Sequence, residues 1–241
     1  MAQAFDARRM AEAVAEVRYR MEQAAKAAGR DPGEILLCAV CKTRTPETIR
    51  DSAALPVDLF GENHMQELVV NYEASAYLDK PVHFIGHLQT NKVKKVVGKA
   101  HIIQSVDSLR LLEAIDKEAG KQNLRQDILL ELNIGEEATK TGAAADDLWP
   151  MLERAAGLEH VHVRGLMAIP PAFDNGPESR RYFAMLRELM EQARARHYEN
   201  ADLDILSMGM SGSYEAAILE GATLVRVGTA IYGERYYPNR V

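Results

Sequence analysis

The sequence predicts an α/β fold, namely a single (β/α)8 TIM barrel, from three observations. Eight short apolar segments alternate with segments of helical pattern, and such alternation is typical of parallel strands joined by helices. The length of 241 residues matches the usual size of an eight-unit barrel. The first apolar segment ends in CKTRTP, without the glycine-rich turn that follows the first strand of a doubly wound sheet. Residues 1–241 are therefore expected to form one domain.

The predicted strands are apolar without strict alternation, as expected when helices cover one face and a packed interior fills the other. They span 35–40, 57–61, 82–86, 102–106, 127–133, 163–169, 203–208 and 224–228. Helices are predicted at 46–54, 64–78, 90–98, 108–121, 145–156, 178–197, 213–220 and 229–235. A long N-terminal helix, 6–29, is expected to pack on the barrel, and the irregular segment 169–177 is expected to be a loop on the active-site side.

Charge and composition argue against several classes of partner. The chain has 29 Lys and Arg against 35 Asp and Glu, a formal charge of −6, so it has no basic surplus for a nucleic-acid backbone. No apolar run approaches the roughly 20 residues that span a membrane. The N-terminal residues lack the apolar centre of a signal peptide. We therefore expect a cytoplasmic protein that binds neither nucleic acid nor membrane.

Cys38 and Cys41 form a CxxC pair in the first predicted strand. Structural zinc uses four ligands, and no second pair of cysteines follows. A redox CxxC stands at a helix N-terminus, whereas residues three apart in a strand point to opposite faces. The two cysteines are therefore interpreted as packed side chains, and no metal ligand is assigned.

Polar residues at the C-terminal ends of the predicted strands are the candidates for a site, because barrel enzymes carry their chemistry at that end. Lys42 directly follows the first strand and shares the parity of Cys38 and Val40, so it points along the barrel axis if that face is the interior. Asn63 follows the second strand, in FGENHMQE. A lysine amine in such a pocket can form a Schiff base with an aldehyde.

Two loops in the last part of the chain have the features of a phosphate site. GMSGS (209–213) and GTA (228–230) each precede a predicted helix and offer backbone N–H groups beside a small hydroxyl. The loops after the seventh and eighth strands are the recurrent phosphate site of these barrels. The alternative interpretation is ordinary helix capping by Ser211, Ser213 or Thr229.

Arg226 lies in the eighth predicted strand, on the parity of Leu224 and Gly228. A buried arginine needs a partner, because an unpaired buried charge is costly. That partner is either a structural acid such as Glu131 or a ligand.

A lysine, a phosphate cradle and an arginine together match the aldehyde, phosphate and ring nitrogen of pyridoxal 5′-phosphate (PLP). Because arginine stays protonated, it would leave the ring nitrogen unprotonated and the ring a weaker electron sink.

Six motifs resemble those of the YggS/PROSC family of PLP homeostasis proteins. They run in order from about residue 35 to 235 and are AVCKT, FGENHMQE, HFIGHLQTNK, RGLMAIPP, LSMGMSGSYEAAI and VRVGTAIYG. The resemblance implies a barrel like the N-terminal domain of alanine racemase, which is the type III fold of PLP proteins, without the C-terminal β-domain. The PLP-binding residues that it implies are Lys42, Asn63, Ser211, Arg226, Gly228 and Thr229.

The resemblance also implies the role of each contact. Lys42 would carry PLP as a Schiff base, and Arg226 would face the pyridine nitrogen. The loop residues Ser211, Gly228 and Thr229 would hold the phosphate, with the asparagine of FGENHMQE beside the cofactor.

Members of this family act in vitamin B6 and amino-acid homeostasis, and no clear reaction is assigned to them. The chain is accordingly expected to be a monomeric carrier or regulator of PLP without robust catalytic activity. Amino acids and PLP-dependent apoenzymes are its further expected partners. The chain departs from the family at Cys41, where Ser is common, and at Ser213, where an acid is common. Cys41 is expected to point away from the cofactor, whereas Ser213 would alter the charge of its loop.

A PLP-dependent amino-acid racemase of low activity is the first alternative. Racemisation needs a second base on the face opposite the lysine, which alanine racemases take from a separate β-domain. The sequence ends after the eighth strand–helix unit, so the base would have to be a tyrosine of the barrel. Four tyrosines are available, and we interpret them as helix-packing or tail residues: Tyr214, Tyr232, Tyr236 and Tyr237.

Two further alternatives use the same barrel differently. A Schiff-base aldolase acting on a sugar phosphate would need the lysine and the phosphate cradle but not Arg226. A metal-dependent barrel would use His83 and His87, but no acidic partner stands near them in the sequence. The simpler interpretation is a packed His83 and a His87 at the rim.

Overall fold

Eight parallel strands form a closed barrel in the computed structural model, which describes residues 7–135, 141–171 and 179–234. The strands are β1 (Leu36–Val40), β2 (Leu59–Glu62), β3 (Val82–Phe84), β4 (Ile102–Val106), β5 (Gln126–Leu132), β6 (Val161–Ala168), β7 (Ala201–Ser207) and β8 (Leu224–Val227). Each strand pairs with the next along the chain, and β1 closes the barrel against β8, with Cys38 beside Arg226. The predicted fold class is therefore confirmed, and each predicted strand overlaps an observed one.

Helices surround the barrel, as the strand–helix alternation predicts. The α-helices are α1 (Ala7–Ala27), α2 (Pro46–Ala53), α3 (Met65–Glu73), α4 (Leu109–Lys121), α5 (Leu148–Ala156), α6 (Arg180–Arg196), α7 (Tyr214–Leu219) and α8 (Thr229–Tyr232). Short 3-10 helices span Pro32–Glu34, Thr90–Lys95 and Ala145–Asp147. No helix of the described ranges is long and apolar enough to cross a bilayer.

Two helix predictions are wrong in their extent or type. The third helix ends at Glu73 instead of residue 78, because Ser75 and Leu78 take left-handed φ values of 51° and 53° that an α-helix does not allow. The predicted helix 90–98 is a 3-10 helix over Thr90–Lys95. Its clustered lysines repel one another and valine is a weak helix former, so the segment gains little from a regular α-helix.

Parts of the sequence predictions lie outside the described residues. These parts are residue 6 of the N-terminal helix, residues 172–177 of the loop, the terminal residues 178 and 235 of two helices, and both ends of the 1–241 domain. They stay predictions.

Two apolar cores hold the barrel together. The interior contains a small layer made of Cys38, Leu59, Ile102, Leu129, Met167, Ile205 and Leu224. The larger core lies between the strands and the helices, and α1 joins it through Met10, Val14, Val17 and Met21. This spacing places the four side chains on one helical face, and that helix packs against α7 and α8.

Candidate functional site

Lys42 stands at the carboxyl end of β1, where its half-buried side chain helps to line a small pocket. Val40, Gly228, Thr229 and Tyr232 line the same pocket. The Lys42 amine forms no hydrogen bond or ion pair with any residue that the structure describes. Val40 packs on the interior apolar layer, whereas Lys42 lies two residues beyond it, in the turn that follows β1.

Ser211 joins the loops that follow β7 and β8. Its Oγ accepts hydrogen bonds from the backbone N–H groups of Gly228 and Ala230, each at 3.2 Å. Within the described part of the chain, the N–H groups of Ser211, Gly212 and Thr229 have no acceptor. They belong to the two loops that Ser211 joins, and backbone N–H groups in such loops bind anions. The two loops therefore meet as the sequence predicts, and they can hold a phosphate.

Gly228 is needed for the close approach of the last loop to β1. A Cβ on Gly228 would lie 3.3 Å from both Cβ and the carbonyl oxygen of Val40. The capping alternative fails for α7, because Ser213, its N-cap residue, forms no side-chain cap. Ser213 Oγ instead accepts the N–H of Met210 at 3.2 Å and is buried, so it holds the turn before α7.

Arg226 is buried in the barrel interior and is hydrogen-bonded to neutral groups. Its guanidinium donates to Ser207 Oγ at 2.5 Å and to the carbonyl oxygen of Ala168 at 3.0 Å. These partners are the last residues of β7 and β6, so the guanidinium lies near the carboxyl ends of the strands. Burial lowers the pKa of Arg226 to about 10, which leaves it protonated at neutral pH.

Glu131 is not the ion-pair partner of Arg226. Its Oε1 accepts a hydrogen bond from Thr141 Oγ1 at 2.7 Å, and burial raises the pKa of its carboxyl group. Among the described residues, no acidic side chain forms an ion pair with Arg226. Glu131 interacts with the Arg226 guanidinium electrostatically but forms no ion pair with it, so the structural alternative of an Arg226–Glu131 ion pair is wrong.

A chain of buried polar side chains extends from Arg226 across the interior. Ser207 Oγ donates to Gln104 Oε1 at 2.6 Å, and Gln104 Nε2 lies 2.8 Å from His83 Nδ1. Burial lowers the pKa of His83 to about 3, so the ring is neutral and its Nδ1 accepts the amide hydrogen. His83 is thus a packed histidine with a hydrogen-bonded ring. No group of three metal-binding side chains occurs in the described ranges.

Ser207→Ala is expected to lower the free energy of unfolding by about 2 kcal/mol, because Arg226 and Gln104 each lose a buried partner. Urea unfolding of the two proteins measures the difference. Ser105→Ala is the matched control, since Ser105 is also buried in a barrel strand but its Oγ has no hydrogen-bond partner among the described residues. An equal loss in both variants would show that the hydroxyl of Ser207 contributes only packing.

Asn63 follows β2 and is half-buried at the rim. Its side-chain amide forms no hydrogen bond within the described ranges, and its backbone lies against Gly86. Asn63 and Lys42 thus both present uncommitted polar groups at the carboxyl ends of adjacent strands. His87, also at the rim, is exposed, with Nδ1 3.6 Å from Asp107 Oδ2.

The two cysteines lie on opposite faces of β1, as the sequence predicts. Cys38 belongs to the interior layer, whereas Cys41 packs outward among the helices. Cys41 Sγ donates to Glu62 Oε1 at 3.1 Å. Asn71 Nδ2 and Tyr77 OH donate to the same oxygen at 2.7 and 2.9 Å. Cys41 therefore points away from the mouth, and a buried glutamate that the sequence analysis missed holds it there.

The family described as "Alanine racemase, N-terminal domain" matches residues 13–236 of the chain. The closed barrel and a lysine after its first strand define a protein of this class. An alanine racemase from Corynebacterium glutamicum has the same fold, with a TM-score of 0.73 at 17% identity. The alignment covers 96% of this chain and 62% of that protein, and a likeness of this kind shows the fold alone.

Curated relatives narrow the class further. A pyridoxal phosphate homeostasis protein of Aquifex aeolicus is 44% identical over 226 residues, 94% of this chain and 98% of that protein. A protein of the same name from Pseudomonas aeruginosa is 39% identical over 228 residues, 95% and 96% of the two chains. The chain belongs to this family, the YggS/PROSC family.

A solved structure of PipY from Synechococcus elongatus, which has PLP bound, is 34% identical to the chain with a TM-score of 0.75. That alignment covers 89% of this chain and all of PipY (100%).

Proposed function

We propose that this protein holds PLP as a Schiff base on Lys42 and acts in vitamin B6 and amino-acid homeostasis. In this proposal it is a carrier or regulator without robust catalytic activity. PLP is its ligand, and amino acids and PLP-dependent apoenzymes are its further partners. The protein acts as a monomer in the cytoplasm, and its two free buried thiols suit a reducing compartment.

The observation that carries the proposal is the buried guanidinium of Arg226, which forms no ion pair with any residue that the structure describes. A buried guanidinium without a carboxylate is stable only with good hydrogen-bond acceptors, and Ser207 and Ala168 supply two. A pyridine nitrogen is a neutral acceptor that would add a third. The family name of the curated relatives and the bound PLP of PipY support the same ligand.

Each residue that is predicted to contact PLP has a chemical group that suits one part of the cofactor. The Lys42 amine has no competing partner among the described residues, so it is available to an aldehyde. The N–H groups of Ser211, Gly212 and Thr229, which have no acceptor among the described residues, suit a phosphate. Arg226 can only donate a hydrogen bond, so it keeps a ring nitrogen unprotonated. When bound, PLP supplies an electron-withdrawing ring, and this arrangement weakens that property.

The described tyrosines support a carrier over a racemase. Tyr214 and Tyr232 are both buried, and burial raises the pKa of each phenol. Tyr232 OH donates to Ser52 Oγ at 3.0 Å, on the helical side of β1. Neither phenol is thus a ready base at the mouth, while Tyr236 and Tyr237 lie outside the described residues. Incubation with amino acids in heavy water tests this point, and Cα exchange at enzyme-like turnover would overturn the carrier proposal.

Borohydride reduction of the purified protein tests the proposal directly. The wild type is expected to be yellow and to gain one pyridoxyl group, which peptide mapping locates on Lys42. Lys42→Ala is expected to be colourless and to gain no mass, whereas Lys117→Ala, at an exposed position of α4, behaves as the wild type. A colourless wild type that gains no mass would contradict PLP binding. A colourless wild type that borohydride instead links to a sugar phosphate would favour the aldolase.

A further inference from the structure

The turn that carries Lys42 has an unusual backbone. Thr43, the next residue, has a φ of 65°, in the left-handed region. The N–H of Arg44 donates to the carbonyl oxygen of Cys41 at 3.0 Å and closes a four-residue turn around Lys42 and Thr43. A positive φ at the third position belongs to glycine or asparagine in turns of this kind. A β-branched residue there is an outlier, so other contacts must hold the turn.

Different contacts hold the two end residues of the turn, Cys41 and Arg44. Cys41 is fixed in the barrel wall, where its N–H donates to Gly61 O at 3.0 Å and its thiol donates to Glu62. On the far side, the Arg44 guanidinium donates to Gly233 O at 3.3 Å and lies over the ring of Tyr232. Neither set of contacts fixes the strained residue itself.

One carboxylate fixes Thr43. Glu67, in the first turn of α3, accepts the N–H of Thr43 on Oε2 at 3.0 Å. This is the bond that the structure gives to the backbone N–H of Thr43. A hydrogen bond from a backbone N–H to a charged acceptor stabilises by an amount of the same order as the cost of a left-handed threonine. The bond can therefore decide which conformation the turn adopts.

We propose that Glu67 is a positioning residue, which holds Thr43 in its left-handed conformation and thereby aims the Lys42 amine at the mouth of the barrel. The inference deepens the proposed function and rests on it for the identity of the ligand. Glu67 acts through the backbone N–H of Thr43 and forms no bond with the Lys42 amine. Any residue that adopts a positive φ without strain at position 43 should therefore make Glu67 dispensable. Glycine is such a residue.

The test compares Glu67→Ala, Thr43→Gly and the double variant Glu67→Ala/Thr43→Gly. PLP affinity is measured by absorbance titration. In protein freed of PLP, the rate of Lys42 acetylation by acetic anhydride is measured by peptide mapping relative to Lys117. Glu67→Ala is expected to weaken PLP binding about tenfold and to change the relative acetylation rate of Lys42 about threefold or more, which matches the loss of one charged hydrogen bond.

The double variant carries the decisive result. It is expected to regain wild-type PLP affinity and Lys42 reactivity within about threefold, because glycine removes the strain that Glu67 offsets. Glu73→Ala, at the exposed end of α3, is the matched control and should match the wild type. If the double variant stays as weak as Glu67→Ala, Glu67 acts by its charge and not through Thr43, and the inference is wrong. If Glu67→Ala has the PLP affinity and the Lys42 acetylation rate of the wild type, the inference is also wrong.

The two proposals fail in different ways. If the wild type takes up no PLP, the proposed function fails, and the acetylation rates of Lys42 in the four proteins still decide whether Glu67 positions the amine. If the wild type binds PLP on Lys42 but Glu67→Ala leaves both measurements unchanged, only the positioning role fails.

Discussion

Gly86→Ala is expected to lower the free energy of unfolding by about 3 kcal/mol or more, the upper part of the range for overpacked sites. A Cβ at position 86 would lie 2.1 Å from the carbonyl oxygen of Asn63 and 2.7 Å from its carbonyl carbon. Both are backbone atoms, so no side-chain rotation can relieve the contact. The chain must shift where β2 and β3 end, which displaces Asn63 at the rim.

Thermal unfolding and PLP titration measure the two consequences of Gly86→Ala. For a chain of this size, 3 kcal/mol corresponds to a fall in Tm of roughly 6–12 °C. Gly157→Ala is the control, because a Cβ there would lie an ordinary 3.7 Å from its nearest neighbour, Arg154 O. The steric argument is wrong if both variants unfold at the same temperature. If Gly86→Ala unfolds early but binds PLP as the wild type does, Asn63 does not contribute to binding.

Period-two alternation explains why much of the site could be predicted from the sequence. Once β1 and β8 are recognised as strands, one buried residue in each fixes the face of the others. Leu224 thus assigns Arg226 and Gly228, whereas Lys42 lies beyond β1, in a turn whose direction period-two alternation does not fix. The loops that hold Ser211 and Thr229 are brought together because β7, β8 and β1 are neighbours in a closed barrel. Local pattern and strand order are sufficient for these residues.

The groups that support the site could not be predicted in the same way. Ser207 and Gln104 are 103 residues apart, and their bond depends on side-chain length across the barrel interior. The end of α3 was also missed, because left-handed Ser75 and Leu78 are not residue types that signal such a conformation. Glu67 looks like an ordinary acid in a first helical turn, and only the observed φ of Thr43 gives it a role.

Glu62 is the second residue with a large expected effect on stability, and the size of this effect depends on pH. Burial raises the pKa of its carboxyl group, and the three hydrogen bonds to its Oε1 oppose this shift without reversing it. Its Oε2 is buried and has no hydrogen-bond partner within the part of the chain that the structure describes. Because the folded-state pKa lies above the unfolded value of about 4.3, the stabilisation by Glu62 is complete below that pH. It is lost as the pH rises through the folded pKa.

Glu62→Gln and Glu62→Ala separate the charge from the hydrogen bonds. Gln keeps the acceptor oxygen but cannot ionise. The free energy of unfolding of Glu62→Gln, relative to that of the wild type, is therefore expected to rise between pH 5 and 8. Ala leaves the thiol of Cys41, the amide of Asn71 and the hydroxyl of Tyr77 without their acceptor, and it is expected to cost about 3 kcal/mol or more at every pH. Urea unfolding at a series of pH values measures both variants, with Glu73→Gln as the exposed control on α3.

A Gln variant that instead loses stability relative to wild type as the pH rises would mean that ionised Glu62 stabilises the fold. The hydrogen bonds from Cys41, Asn71 and Tyr77 would then outweigh the cost of its burial.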